Sequence, residues 1–305
     1  MGFHMIDITN KFETLRSAKA MAVVKVSPGA LAAVRERRVP KGDVVETARV
    51  AGIQAAKRTH EAIPFCHPLP VESAAVTVSV GEEEIRIEAE VKATAKTGVE
   101  MEALHAAAVA ALTVYDMLKP IDDGLAIGEI RLLEKKGGKS DYAVFPKGLK
   151  AGVLVVSDSV SAKSRADKSG RLIVDRLSTA GVTVADCAVV ADEVPLIVKA
   201  LRAFADQKID LVLTTGGTGL GPRDVTVEAT REVIEREAPG IVEALRGHGQ
   251  RRTPYAMLSR GVAGVRGKTL IVNLPGSSRG VAEGLDVLIP AVLHVFPIME
   301  GEGHG

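Results

Sequence analysis

Hydrophobic and polar positions change their period along this chain, and the period predicts the elements. Val76, Val78 and Val80 alternate with Thr77 and Ser79. After the short polar turn at 81–83, Ile85, Ile87, Ala89 and Val91 alternate with charged or polar residues. Period two on both sides of a short turn predicts a hairpin with one buried face. Helical patterns flank it, one from Asp43 to about Ala62 that stops at Pro64, the other from Val99 to about Leu118 that stops before Pro120. Strands that pair with each other beside helices predict an α+β domain with an antiparallel sheet, ferredoxin-like in class.

Beyond residue 150 the order alternates. Residues 152–157, 182–190, 210–215 and 269–274 read as strands. Residues 169–180, 195–206, 226–237 and 278–295 read as helices or mainly helical. The strands are continuous apolar runs, as expected when both faces are covered, so this half reads as an α/β doubly wound, mostly parallel sheet. Between the halves, Lys135–Asp141 is polar and glycine-bearing, and Pro146, Lys147, Gly148 and Lys150 follow. The expected division is therefore 1–140, a linker at 141–150, and 151–305.

Composition then removes whole classes of function. The 305 residues carry 39 basic and 38 acidic side chains, a net charge of +1, split as 21 and 20 before residue 151 and 18 and 18 after it. Neither half is the basic body that nucleic-acid binding needs, and nine aromatics are too few for base-stacking platforms. The longest near-apolar run, 287–299, is broken by Pro290, His294 and Pro297, so no bilayer span is expected. Charges at Asp7, Lys11, Glu13, Arg16 and Lys19 leave no signal-peptide core. Two cysteines, Cys66 and Cys187, make no disulfide framework and fit a reducing cytosol. A cytoplasmic protein with small-molecule substrates is expected.

In a doubly wound sheet, ligands sit outside the carboxyl ends of the strands. Those ends carry Ser157-Asp158-Ser159, Asp192-Glu193, Thr214-Thr215-Gly216-Gly217-Thr218-Gly219 and Asn273–Ser278. The glycines bring bare amides close to an anion, and Thr214, Thr215 and Thr218 add hydroxyl donors. A phosphate there would commonly bring Mg²⁺, which wants carboxylate oxygens; Asp192 and Asp224 could supply them. Each aspartate could equally cap a helix, Asp192 the one begun by Pro195 and Asp224 the one begun near Thr226. No Gly-Lys-Ser/Thr follows, so this is not a Walker loop.

The run from Thr214 to Thr226, with Arg223-Asp224 inside it, resembles the signature of the molybdenum-cofactor proteins MogA and MoaB, as do Leu274-Pro-Gly-Ser277 and Val156-Ser-Asp158. The resemblance covers about 151–300 and implies a molybdopterin adenylyltransferase that moves AMP from Mg-ATP onto the pterin's terminal phosphate. It implies Asp192 and Asp224 as metal and catalytic residues. Thr215, Gly216, Gly217, Thr218 and Gly219 would hold nucleotide phosphates, Ser157 and Asp158 would line the same site, and Ser277 would lie in the pterin-side loop.

In the first half, Lys41-Gly-Asp-Val44 opens a helix, and Pro64-Phe-Cys-His-Pro-Leu69 is a loop constrained by prolines. Glu102, Val109 and Asp116 are spaced by seven on one helical stripe, with Lys119 three beyond Asp116. Asp116 and Lys119 could be a solvated ion pair or an acid/base couple. His67 reads as a turn histidine or a general acid/base. The turn at 120–125 is assigned no role, and the spacing does not decide whether His105 takes part.

Residues 4–140 resemble MoaC, cyclic pyranopterin monophosphate synthase. The resemblance rests on His4-Met-Ile-Asp7, Lys41-Gly-Asp-Val44, Ala48–Thr59, Cys66-His-Pro-Leu69, Lys96–Leu104, Tyr115-Asp-Met117 and Gly137-Gly-Lys-Ser140. It implies rearrangement of a cyclised dihydro-GTP derivative with loss of pyrophosphate, without a cofactor. Asp116 would be the acid/base with Lys119 beside it. Lys41, His67 and Lys135 would act on the triphosphate or in proton transfer. Phe65, Cys66, His67, Met101 and Glu102 would line the pocket. Together the two resemblances imply a bifunctional fusion acting on the cyclised GTP derivative, molybdopterin and ATP, assembled as a trimer or hexamer; the alternative is an active synthase joined to a non-catalytic pterin-binding or scaffolding module.

Overall fold

The computed structural model describes residues 3–138, 141, 147–162, 164 and 166–301. The chain divides into two compact units, Met1–Asp141 and Tyr142–Gly305. Of the expected linker, residues 142–146 lie outside the described residues.

In the first unit β1 (Thr14–Lys25) leads through α1 (Pro28–Arg35), α2 (Val44–Lys57) and the one-turn α3 (Thr59–Ala62) to β2 (Ser73–Val80) and β3 (Glu84–Ala95). Then come α4 (Glu100–Leu118) and β4 (Ala126–Lys136). The strands pair antiparallel in the order β2-β3-β1-β4, the ferredoxin-like arrangement. The hairpin buries Val76, Val78, Ile85, Ile87, Ala89 and Val91, as alternation requires. β1 is not announced by its pattern, because its inward positions Ala18, Ala20 and Ala22 are weak strand formers. The helix expected from Asp43 to Ala62 is two helices. The Arg58 N–H turns to the Ala55 carbonyl, three residues back, and the chain restarts at Thr59.

α4 fixes where the first site can be. Its inner face is alanine: Ala103, Ala106, Ala107, Ala110 and Ala111 are all fully buried. Against it α2 sets the buried small residues Ala48, Gly52, Ala55 and Ala56. Small against small draws the axes toward the short end of the usual separation, about 8 Å. A Cβ at Gly52 would lie 3.0 Å from the Ala106 carbonyl oxygen and 3.3 Å from Ala110 Cβ. The seam sets geometry more than energy, since alanines remove little apolar area. The fully buried Leu31, Ile85, Ile87 and Leu118 supply most of that, at about 1.5–3 kcal/mol each. By length and composition alone α4 could cross a bilayer, with mean hydropathy 1.2, but half of its apolar window is buried in the fold, as in a core helix.

The second unit runs β5 (Lys150–Val156), α5 (Asp158–Ser161), α6 (Ser169–Thr179), β6 (Thr183–Val190), α7 (Val194–Asp206), β7 (Leu211–Thr215) and α8 (Thr226–Arg231). It continues β8 (Arg236–Glu237), α9 (Pro239–Gln250), β9 (Ala263–Arg266), β10 (Thr269–Leu274), α10 (Ser278–Leu288) and α11 (Val295–Met299). The sheet order is β6-β5-β7-β10-β9-β8, with the first four strands parallel and β9 antiparallel to both of its neighbours. Both faces are covered. Leu154, Val156 and Val212 pack with Ile197, Leu201 and Phe204, while Val153, Val155, Leu211 and Leu213 pack with Ile173, Leu177 and Leu285. The helix expected at 226–237 ends at Arg231. Its last two residues form β8, where Arg236 and Glu237 pair with Val265 and Gly264 of β9.

Gly52→Val should overpack the α2–α4 seam and lower the stability of the first unit by about 1–3 kcal/mol, read as a lower urea midpoint. An unchanged midpoint would show slack that the distances deny.

Candidate functional site

The carboxyl end of α4 presents Asp116 and Lys119, and the turn before α2 brings Lys41 to them. Lys41 Nζ donates to Asp116 Oδ2 at 2.7 Å and to the Asp116 carbonyl at 2.8 Å. Lys119 Nζ lies 2.8 Å from Asp116 Oδ1. Cations suit the carbonyl end of a helix. The hydrogen bond from Lys119, then that from Lys41, pulls the Asp116 carboxyl down to about 2. The same pair raises Lys119. At rest Asp116 is thus a carboxylate clasped by two ammonium groups, and a weak base.

The other expected residues gather at the opposite end of α4. The Cys66 thiol donates to Glu102 Oε1 at 3.5 Å. Glu102 is 2% exposed, and its Oε2 is buried without a hydrogen-bond partner. Burial pushes the Glu102 carboxyl up; burial, then the Glu102 charge, pushes Cys66 to about 11. His67 Nε2 is 2.9 Å from the Ile6 carbonyl oxygen, which can only accept, so His67 carries a proton on Nε2. Phe65 stacks on Phe3 with ring centroids 6.3 Å apart, and Lys135 Nζ lies 3.4 Å from Glu100 Oε1. Met101 is exposed beside them.

Fourteen helical residues separate Glu102 from Asp116, about 21 Å at 1.5 Å each. One chain therefore holds the expected set as two clusters, Lys41–Asp116–Lys119 and Cys66–His67–Glu102 with Lys135 nearby. The spacing of seven places Glu102, Val109 and Asp116 on one helical stripe, which runs from a buried carboxyl to an exposed one. His105 faces neither cluster. Its Nδ1 lies 3.2 Å from the Ala55 carbonyl and 3.3 Å from Thr59 Oγ1, joining α4 to the end of α2. The 120–125 turn does have a role: Asp122 accepts the Ser27 N–H at 2.7 Å and the Gly124 N–H at 2.9 Å, which ties the turn to the start of α1. Of the Gly137–Ser140 motif, Lys139 and Ser140 lie outside the described residues.

In the second unit the strand ends converge as the parallel sheet requires. Asp158 and Asp192 exchange backbone bonds: the Asp158 N–H donates to Asp192 Oδ2 at 2.8 Å and the Asp192 N–H to Asp158 Oδ1 at 3.0 Å. Arg223 forks onto both Asp158 oxygens at 2.9–3.1 Å and holds that carboxyl below the usual range. Asp192 moves the other way, raised first by burial and then by the charges of Asp158 and Asp224. Asp224 Oδ2 accepts the Gly221 N–H at 2.8 Å. Neither aspartate caps α7 or α8, whose starts have no side-chain cap, so the helix-cap alternative falls.

The loop's glycines leave no room for a Cβ. At Gly217 (φ +64°) a Cβ would lie 2.2 Å from Thr226 Oγ1 and 3.3 Å from Asp192 Oδ1, and at Gly219 one would lie 2.8 Å from Asp224 Oδ2. An open polar cleft of about 500 Å³ is bordered by Asp192, Thr215, Gly216, Gly217, Arg223, Asp224 and Ser277. Beyond the Pro275–Ser277 turn a more apolar cavity of about 210 Å³ lies against Leu245, Tyr255 and Gly284, and Ser277 borders both. Two of the expected hydroxyl donors serve the scaffold instead. Thr215 Oγ1 donates to the Pro275 carbonyl at 2.7 Å, and Thr214 Oγ1 accepts from Asn273 Nδ2 at 2.9 Å. Ser157 and Ser277 use their hydroxyls to cap α5 and α10. Arg260, which the sequence pattern does not single out, reaches the loop from the segment before β9.

Residues 5–138 match the MoaC family, and residues 152–294 match a family described as a "probable molybdopterin binding domain". A molybdenum cofactor biosynthesis bifunctional protein of Chlorobaculum tepidum is 41% identical over 98% of this chain and 96% of its own length. One from Synechococcus elongatus is 43% identical over 99% of each. A cyclic pyranopterin monophosphate synthase of Thermomicrobium roseum is 55% identical over 45% of this chain and 83% of its own length.

The Asp116 carboxyl should titrate near pH 2, read by carbon NMR, against about 3.9 for a free aspartate. Because its folded value is depressed, its contribution to stability is complete above about pH 4 and is lost as the pH falls toward 2. A midpoint at the ordinary value would mean that Lys41 and Lys119 do not hold it.

Proposed function

The chain belongs to the bifunctional molybdenum cofactor biosynthesis proteins, and on that premise we propose that each unit runs one reaction of that synthesis. The first converts a cyclised dihydro-GTP derivative to cyclic pyranopterin monophosphate and releases pyrophosphate. The second joins molybdopterin to AMP: an oxygen of the pterin's terminal phosphate bonds to the α-phosphorus of ATP, and pyrophosphate leaves. The observation that carries the second assignment is the meeting of Asp192, Asp224 and a loop whose glycines admit no Cβ around one polar cleft.

A magnesium ion carried in with ATP fits these residues. Mg²⁺ is usually held by one or two carboxylates with substrate phosphates and water rather than by a full protein cage. Among the described residues no group of three or more acidic, histidine or cysteine side chains is set to hold a metal, while two carboxylates face the loop. Burial and neighbouring charge raise Asp192, a carboxyl whose ionised form gains from a cation beside it. Bound there, Mg²⁺ would neutralise charge developing on the phosphoryl oxygens. The chain's own part is to receive phosphates at Gly216–Gly219, keep Asp158 tied to Arg223, and admit the pterin on the Ser277 side.

In the first unit a triphosphate competes with Asp116 for Lys41 and Lys119. Each ammonium drawn to phosphate removes one cause of the depressed carboxyl, so Asp116 becomes a better base once substrate is in place. The separation of this cluster from Cys66, His67 and Glu102 supports a homo-oligomeric enzyme, trimeric or hexameric, in which the site is completed between copies.

Mass spectrometry of products from the full chain tests the pair of assignments. Asp116→Asn should cut cyclic pyranopterin monophosphate formation by about a hundredfold or more and leave adenylylation intact. Mixed oligomers of Asp116→Asn and His67→Ala chains should regain part of the first activity, because some sites then unite an intact copy of each cluster. No recovery in oligomers shown to be mixed would contradict completion between copies, and normal turnover by Asp116→Asn would return Asp116 to a surface ion pair.

A further inference from the structure

We propose that Arg260 is the positioning residue for nucleotidyl transfer, holding the glycine loop and Asp224 in the shape that accepts a metal-bound polyphosphate. The inference rests on the reading of the second unit as an AMP-transferring site. Arg260 follows the short 3-10 turn Pro254–Leu258 and enters the loop from outside. Its Nε donates to the Gly219 carbonyl at 2.7 Å and its Nη2 to the Asp224 carbonyl at 2.6 Å. Its backbone N–H donates to the Thr218 carbonyl at 2.9 Å. Its Nη1 pairs with Glu228 on α8.

Three loop carbonyls are thus drawn to one residue, two of them by its side chain and one by its backbone N–H. Because a peptide is planar, taking the carbonyls of Thr218, Gly219 and Asp224 turns the N–H groups of Gly219, Leu220 and Val225 away from Arg260. A loop of glycines has many accessible backbone conformations, and anion binding needs one of them. From inside, the Gly221 N–H to Asp224 Oδ2 bond closes the same ring. The guanidinium is planar and forked, so it can span two carbonyls and a carboxylate at once; an ammonium cannot hold that geometry. Arg260 need not touch the nucleotide. It acts through the fraction of molecules whose loop is competent, and apparent affinity falls with that fraction.

The test is adenylylation kinetics against Mg-ATP and against free Mg²⁺, with melting temperature measured alongside, for the full chain and for Arg260→Met, Arg260→Lys and Glu228→Gln. Arg260→Met should lower kcat/KM for Mg-ATP roughly ten- to a hundredfold, the cost of losing hydrogen bonds from a charged donor, and shift the Mg²⁺ curve to higher concentration. The KM for molybdopterin should change less than about twofold, since the Ser277 side keeps its own supports. Arg260→Lys should recover only part of the loss. Glu228→Gln keeps both carbonyl bonds and should stay within about threefold of the starting enzyme. If Arg260→Met does not fold, Arg260→Lys carries the comparison. A folded variant with unchanged Mg-ATP and Mg²⁺ dependence overturns the proposal, as does an equal fall for both substrates, which is the mark of a purely structural residue. If the unaltered chain transfers no AMP, the functional reading fails by itself; calorimetric binding of inorganic pyrophosphate then decides Arg260, with weaker binding in the variants supporting the loop role and equal binding overturning it.

Discussion

At Gly216 the chain leaving β7 passes so close to the end of β5 that a Cβ would lie 2.1 Å from the Val156 carbonyl oxygen. No side chain fits there, and φ of +100° suits only glycine. That close approach lets the ends of β5, β6 and β7 meet, and with them Asp158, Asp192 and the loop that ends in Asp224. Gly276 approaches the same point from β10, where a Cβ would lie 3.3 Å from Gly216 Cα. Backbone packed against backbone thus brings Gly216, Gly217 and Gly276 into one cleft with Asp192, Arg223 and Asp224. The first unit obeys the same rule in helical form. A seam of alanines and Gly52 lets α2 and α4 close up, and the functional side chains are displaced to the two ends of α4.

Charge follows from that geometry. In the first unit, two lysines hold one exposed carboxylate firmly ionised, while 14 positions away a buried carboxyl is pushed toward its neutral form. In the second unit, Arg223 satisfies Asp158, and burial leaves Asp192 raised. Each unit therefore contains one settled carboxylate and one that is unsettled by its surroundings. Unsettled groups are where a bound substrate or cation changes the energy most.

Legibility in the sequence tracked locality. The 76–91 hairpin and the alternating order of the second unit could be read because their periods are local and their inward residues are large or β-branched. β1 could not, since three of its buried positions, Ala18, Ala20 and Ala22, are alanines. Residues 236–237 read as the end of the 226–237 helix because nothing in Arg236-Glu237 signals pairing with β9. Rules about strand ends located Asp158, Asp192, Asp224 and the glycine loop together. They said nothing of Arg260, whose partners Asp224 and Gly219 lie 36 and 41 residues away in sequence. They also did not foresee that the hydroxyls of Thr214 and Thr215 join β7 to the end of β10. The resemblance gathered Asp116 and Glu102 into one site, while helical rise keeps them apart in one chain.

The central claim is that Asp192 and the glycine loop bind a polyphosphate through a divalent cation. Calorimetric titration of ATP into the full chain, with and without Mg²⁺, tests it most directly, alongside Asp192→Asn as the comparison. The expected result is tight binding that needs Mg²⁺ in the unaltered chain and a weakened dependence on Mg²⁺ in Asp192→Asn, which still folds. ATP binding that is equally tight without Mg²⁺, or that is untouched by the substitution, would contradict the claim.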